Sequence, residues 1–227
     1  MKAHRYTLRA LARLLAYPDA ALREHLPDLL AAIDAEAVLP APRRAELHAL
    51  CHQLGTSDPM ETEARYVETF DRGRAASLHL FEHVHGDSRD RGPAMVDLVQ
   101  TYAAAGLSLD ARELPDHLGV VLEFASTQPP AIGRDFLGEV AHIVTAIFSA
   151  LERQHNPYAT VLAAVLELAG RKVQAVPIAP DEPLDASWAE PAAFDGCSTR
   201  GQAQPGVSCE SRHLRRGKNP ELRTGSG

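Results

Sequence analysis

The segment His79-Leu80-Phe81-Glu82-His83 carries two imidazoles four residues apart, with a carboxylate just before the second. On one helical turn His79 and His83 would share a face and hold a zinc ion, and Glu82 would be the general base that deprotonates a metal-bound water. That chemistry defines one reading of the chain, a zinc-dependent hydrolase. The same spacing also describes an ordinary amphipathic helix, with Leu78, Leu80, Phe81 and Val84 on one side and His79, Glu82 and His83 on the other. In a chain with 11 histidines the pattern arises readily from composition. The polar face is therefore assigned to solvent, loop contacts or a partner ahead of a metal.

A second cluster, Glu113-Leu114-Pro115-Asp116-His117, is predicted to open a helix at Pro115 with Asp116 and His117 in the first turn. A carboxylate at that position gains about 0.3–1 kcal/mol from the helix dipole, so Asp116 reads first as a cap. A protonated imidazole gains nothing at the positive end of a helix, and His117 is read instead as a hydrogen-bonding group for a partner. There is no GxSxG elbow, no Walker loop and no GxGxxG. The three cysteines, Cys51, Cys197 and Cys209, are odd in number and lack a CxxC pair, which predicts reduced thiols. No enzymatic activity and no bound cofactor are expected.

Apolar residues from about residue 5 to 170 follow the helical period, and long β-branched runs between turn signals are missing. The spacing predicts an all-α protein, a single bundle of about eight helices. Asp19 suits an N-cap, as does Asp58, which is followed by Pro59 and Glu61 in a capping-box order. Helical spacing resumes from Ala75 to His85, and a further helix is expected to open at Pro93. Gly106 and Gly170 stand where left-handed C-terminal residues belong. The longest helix is expected to stack Ile132, Phe136, Val140, Ile143, Val144, Ile147 and Leu151. Residues 1–175 should form the helical domain, 176–196 a proline-rich linker docked in part through Trp188, and 197–227 a disordered tail.

The net charge of −7 is uneven: six of the 23 basic residues but only two of the 30 acids lie from Arg200 onward, which leaves residues 1–199 at −11. Such a body repels phosphates and favours basic partners, so nucleic acid is not an expected ligand. No run of about 18 apolar residues is present, which excludes membrane insertion. Arg9 and Arg13 interrupt the first leucines, so no signal-peptide core is seen and a cytoplasmic location is expected.

The block YVETFDRGRAASLHLFEHVHGDSRDRG (Tyr66–Gly92), its continuation to Leu107, and ELPDHLGVVLEF (Glu113–Phe124) resemble the nitrate reductase delta subunit family of assembly chaperones, the NarJ type. The likeness extends to NPYATVLAAVLELAG and to DEPLDASWAEPAAF around Trp188, and ELPDH is similar to the Glu-x-Pro-Asp-His motif of the wider redox-enzyme chaperone group. The resemblance implies an all-helical cytoplasmic chaperone that binds the unfinished catalytic (alpha) subunit of respiratory nitrate reductase, through its N-terminal segment. It would hold that subunit ready for molybdenum cofactor insertion and would not be part of the final enzyme. By the same resemblance Tyr66, Phe70, Asp87, Arg91, Asp116 and His117 are groove or motif positions. The composition after Gly196 buries too little apolar surface to offset chain entropy. Truncation after Asp195 should leave thermal stability and partner binding nearly unchanged, whereas a cut before Trp188 should lower the melting temperature.

Overall fold

In the computed structural model of the chain, residues 4–85, 88–110 and 113–177 are described. Among them the chain forms nine α-helices and one 3-10 turn, with no strand. The all-α class is as expected, with one helix more than the approximate eight. Asp87, Trp188, Cys197, Cys209 and the expected tail lie outside the described residues.

Helix α1 (Arg5–Leu14) buries Leu8, Leu11 and Leu14 at helical spacing. Its first turn has no acidic residue of its own, and its orphan N–H groups are met from elsewhere. Glu36, the last residue of α2 (Ala20–Glu36), accepts from the N–H of Tyr6 at 2.9 Å and of Thr7 at 2.8 Å, and from the Thr7 hydroxyl at 2.6 Å. Asp19 caps α2 by accepting from the Leu22 N–H at 2.7 Å. Helix α3 (Ala41–Thr56) follows the Pro40 break, and α4 (Pro59–Phe70) begins as its sequence predicts, with Asp58 accepting from the Glu61 N–H at 3.0 Å.

The next stretch departs from the predicted pattern. In place of a helix from Ala75 to His85 there is a 3-10 turn at Arg74–Ala76, an extended passage, and a helix of five residues, α5 (Leu80–Val84). Leu78 and Leu80 are both buried although they lie two residues apart, a strand-like alternation that no single helix satisfies while Val84 stays exposed. Helix α6 (Arg91–Ala104) starts two residues before Pro93 and is followed, past its Ala105 C-cap, by Gly106, whose φ is +77°. Helix α7 (Leu118–Thr127) starts at Leu118 and not at Pro115, which leaves Asp116 outside its first turn and makes His117 its N-cap.

Helix α8 (Pro130–Arg153) is the longest and, with α9 (Ala159–Leu168), forms the centre of the core; α9 buries every residue from Ala159 to Leu166. Helix α1 packs against α7 and α2, and α8 against α7 and α9. Cys51 of α3 is buried in the same core, where desolvation pushes its thiol up to about 11 and keeps it protonated. The chain after α9 folds back, and the Val176 N–H donates to the Ser149 hydroxyl at 2.9 Å. Among the described residues no helix is long and apolar enough to cross a membrane.

The α7–α8 contact depends on Gly133, since a Cβ there would stand 2.7 Å from the Ala125 carbonyl oxygen, a backbone atom that cannot rotate away. Gly133→Ala should therefore force the two helices apart and cost about 1–3 kcal/mol, the range of overpacking changes. Chemical denaturation reads this cost as a lower midpoint, and an unchanged midpoint would show that the contact is loose.

Candidate functional site

The two sequence motifs meet. Leu80 N–H donates to the Asp116 carbonyl at 3.0 Å and Leu118 N–H to the Leu78 carbonyl at 2.8 Å, so residues 78–80 and 116–118 pair around a single antiparallel bridge, His79 to His117. This pairing turns the Asp116 side chain inward. It is fully buried, and Oδ2 accepts from the Phe81 N–H at 3.1 Å. The carboxylate thus serves the first turn of α5, a helix 35 residues distant, and not its own. Arg91, the first residue of α6, holds its guanidinium 3.8 Å from Asp116 Oδ2 and 3.5 Å from Glu82 Oε1. His79 Nδ1 lies 3.5 Å from Asp116 Oδ1, and neither buried atom has a hydrogen-bond partner within reach, so each is the other's nearest electrostatic complement.

The electrostatics follow from this packing. Burial by itself would raise the Asp116 carboxyl, but the His79 ring, the Phe81 N–H and the Arg91 charge together hold it below the usual carboxylate value of 3.8. The Asp116 contact raises His79 above the ordinary 6.5 despite the opposing effect of burial. Burial, aided by the neighbouring His79 charge, lowers His117. A neutral His117 suits its place, because its Nδ1 accepts from the Gly119 N–H at 3.2 Å as the cap of α7. The role the structure shows for His117 is thus as the cap of its own helix.

The zinc arrangement is not formed. His79 is in extended backbone before α5, not one turn below His83. His83 donates from Nε2 to the Ser77 carbonyl at 2.9 Å, and Glu82 accepts from the Ser77 hydroxyl at 2.6 Å. Glu82 and His83 are both taken up by Ser77 and His79 faces Asp116, and among the described residues no set of three or more His, Cys, Asp or Glu is placed to hold a metal ion.

Of the other predicted positions, Tyr66 and Phe70 are buried, with ring centroids 4.8 Å apart and Tyr158 edge-on to both. The Tyr66 hydroxyl donates to the Leu15 carbonyl at 2.6 Å, which ties α4 to the end of α1. Arg91, Asp116 and His117 therefore converge, while Tyr66 and Phe70 form a separate aromatic cluster.

Beside the paired segments is a groove of about 570 Å³ whose apolar surface comes from Tyr102, Leu107, Leu109, Val120 and Phe124. Asp110, Glu113 and Glu123 stand around it, and Arg9 enters from α1 with its Nε donating to the Ser126 hydroxyl at 3.2 Å. Tyr102 is the joint between groove and motif, since its hydroxyl donates to the Pro115 carbonyl at 2.8 Å and its ring stacks on Phe124 at 4.8 Å. Of the positions expected at a groove, Tyr66, Phe70, Arg91, Asp116 and His117 do not line this one, and from the two sequence motifs only Glu113 does. A usable signal was present: Leu107 and Leu109 follow the helix-ending Gly106, and apolar residues in a loop need a surface to cover.

Fold and site together define an all-helical protein whose polar cluster holds its own segments in place beside an acidic-edged apolar groove. The chain belongs to the nitrate reductase delta subunit family, whose model matches residues 17–164. It is 42% identical over 189 residues, 79% of this chain and 80% of the relative, to the nitrate reductase molybdenum cofactor assembly chaperone NarJ of Escherichia coli K12. The probable chaperone NarW of the same organism is 37% identical over 193 residues, covering 81% and 80% of the two chains. The probable NarJ of Bacillus subtilis is 32% identical over 163 residues, covering 70% and 86%.

Asp116→Asn should cost about 1.5–3 kcal/mol, the range for hydrogen bonds to charged groups. Because His79 is raised, its share of stability is complete below the unfolded value of 6.5 and lost as pH rises through the folded one. Asp116 and His117 are lowered, so theirs are present above 3.8 and 6.5 respectively and lost as pH falls through the folded values. Titration of the imidazole resonances by NMR should place His79 above 6.5 and His117 below it, and Asp116→Asn should bring His79 down.

Proposed function

We propose that this chain is a maturation chaperone for respiratory nitrate reductase. It binds the N-terminal segment of the unfinished catalytic (alpha) subunit and keeps that subunit open for molybdenum cofactor insertion. It acts in the cytoplasm and is absent from the final enzyme. The family and the names of its relatives support a role in assembly. The observation that carries the binding mode is the groove, an apolar trough edged by carboxylates. Such a surface suits the apolar face of an amphipathic helix whose other face is basic. Apolar burial supplies affinity, and the carboxylates select charge and speed encounter.

No catalytic step is needed. A protein that binds only the incomplete state of its client stabilises that state by mass action, and it is released once the mature fold hides the recognised segment. Asp116, His117 and Arg91 serve this function by fixing the starts of α5, α6 and α7, of which α6 and α7 line the groove, and Tyr66 and Phe70 by tying α4 to the end of α1.

Calorimetric titration with a synthetic peptide of the client's N-terminal segment should show one-to-one binding. Val120→Lys, which puts a cation into the trough, should weaken it more than tenfold, whereas Glu113→Gln or Glu123→Gln at the exposed edge should cost about two- to fivefold. Raising salt should weaken binding moderately, since edge charges are screened over about 8 Å at physiological ionic strength. Absence of binding by a folded chaperone would remove this recognition mode.

A further inference from the structure

Helix α6 is unlike the rest of the bundle. Of its 14 residues only Tyr102 is buried, whereas α7 buries seven of ten. Yet α6 is not a polar helix. Met95, Leu98, Val99 and Tyr102 recur at the i, i+3, i+4, i+7 spacing of a core-facing stripe. Along this stripe Tyr102 is 3% exposed, Met95 and Leu98 are half-buried, and Val99 is 41% exposed, with Val96 beside it at 54%. The stripe begins in the groove, at Tyr102, and extends about 10 Å from it, to Met95, at 1.5 Å per residue. An apolar wall continuous with the groove is left half-covered.

The side-chain anchors described for α6 lie at its two ends. At the far end, Arg91 pairs with Asp116 and Glu82. At the near end, the Tyr102 hydroxyl and ring hold to Pro115 and Phe124, and the chain turns immediately afterwards at Gly106 with φ +77°. Between them the Thr101 hydroxyl bonds only within the helix, to the Asp97 carbonyl. A helix with little buried apolar area and end-only anchors belongs to the part of a protein that opens locally before the core does.

We infer that α6 is a hinged arm: it pivots about Tyr102, is latched at its first turn by Arg91 on Asp116 and Glu82, and swings to admit and then clamp the helical segment lying in the groove. The occupant is a basic amphipathic helix. Its apolar face meets the stripe from Met95 to Tyr102 together with Leu107, Leu109 and Val120, and its cations meet Glu113 and Glu123. This inference rests on the groove being the client's site. It assigns Asp116 a positioning role, acting on the client through Arg91 and α6 and not by contact, which a fully buried carboxylate could not make.

Hydrogen exchange followed by mass spectrometry on the full chain tests the arm. In the free wild-type protein, amides of residues 95–104 should exchange at least about tenfold faster than those of residues 143–151 in α8. Arg91→Ala should speed exchange in α6 by a further threefold or more while α8 and α9 are unchanged, and Arg91→Lys, which keeps the charge, should restore part of the protection. Adding the synthetic N-terminal peptide of the nitrate reductase catalytic subunit should slow α6 below its free rate. An α6 as protected as α8, or an Arg91→Ala effect spread evenly over α8 and α9, would overturn the arm. Peptide binding without added protection of α6 would overturn the clamp and leave the chaperone reading in place. A fast, Arg91-dependent α6 in a chain that binds no peptide would instead remove the client site and leave the latch.

Discussion

A single buried carboxylate organises the functional half of this molecule. Asp116 has no exposure to water, so its charge must be answered by protein groups: the Phe81 N–H, the Arg91 guanidinium and the His79 ring. Those three donors belong to two stretches of chain, the His79–Phe81 segment and the first turn of α6, and neither is close to Asp116 in sequence. Meeting the charge therefore fixes where α5 begins, where α6 begins and how the 116–118 segment pairs with 78–80. Removing one partner from such a cluster costs more than the contact itself is worth, since the remaining charge stays buried. That asymmetry explains how a single side chain dictates the placement of helices that bury little apolar surface of their own.

The contrast with the rest of the bundle is one of mechanism. Helices α1, α8 and α9 are held by apolar area, and their sequences carry it openly as leucines, valines and alanines at helical spacing. Helices α5 and α6 are held by a few polar contacts with short reach. The first kind of stabilisation is distributed and tolerant. The second is local and can be broken without unfolding the core, which is what a surface that must open for a partner requires.

This division also sets what could be read from the sequence. The Asp19 and Asp58 caps, the turn at Gly106 and the stripe of α8 apart from Ile132, which is exposed, were legible, because each depends on residues within one or two turns of one another. The stretch from Ala75 to His85 was not. Its apolar spacing suits a helix, but Leu78 and Leu80 are both buried by neighbours far along the chain, and pairing with 116–118 pulls His79 into extended backbone. Both clusters with chemical promise were found, HLFEH and ELPDH, and each was first given a role it could fill alone. Their meaning lay in the contact between them, which no local spacing encodes. Asp116 is a cap, as its type suggests, yet it caps α5 and not α7. An apolar groove with acidic edges was an expectation, but its lining was not legible, because Tyr102, Val120 and Phe124 look like ordinary core residues.

Charge and groove together explain why a chaperone of this kind can be both selective and transient. Residues 1–199 carry a net −11, a long-range field that concentrates basic segments near the surface but discriminates little among them. The apolar trough discriminates, since it rewards one amphipathic face and excludes chains without it. Neither element binds irreversibly: edge carboxylates remain hydrated and contribute little each, and the apolar area is limited to one short helix. In the proposed arm, affinity then depends on how far α6 closes, which depends on the Arg91 contact to Asp116. In the proposed arm, the Asp116 of ELPDH is thereby placed where it acts on grip through Arg91, while Glu113 of the same motif stands at the groove itself.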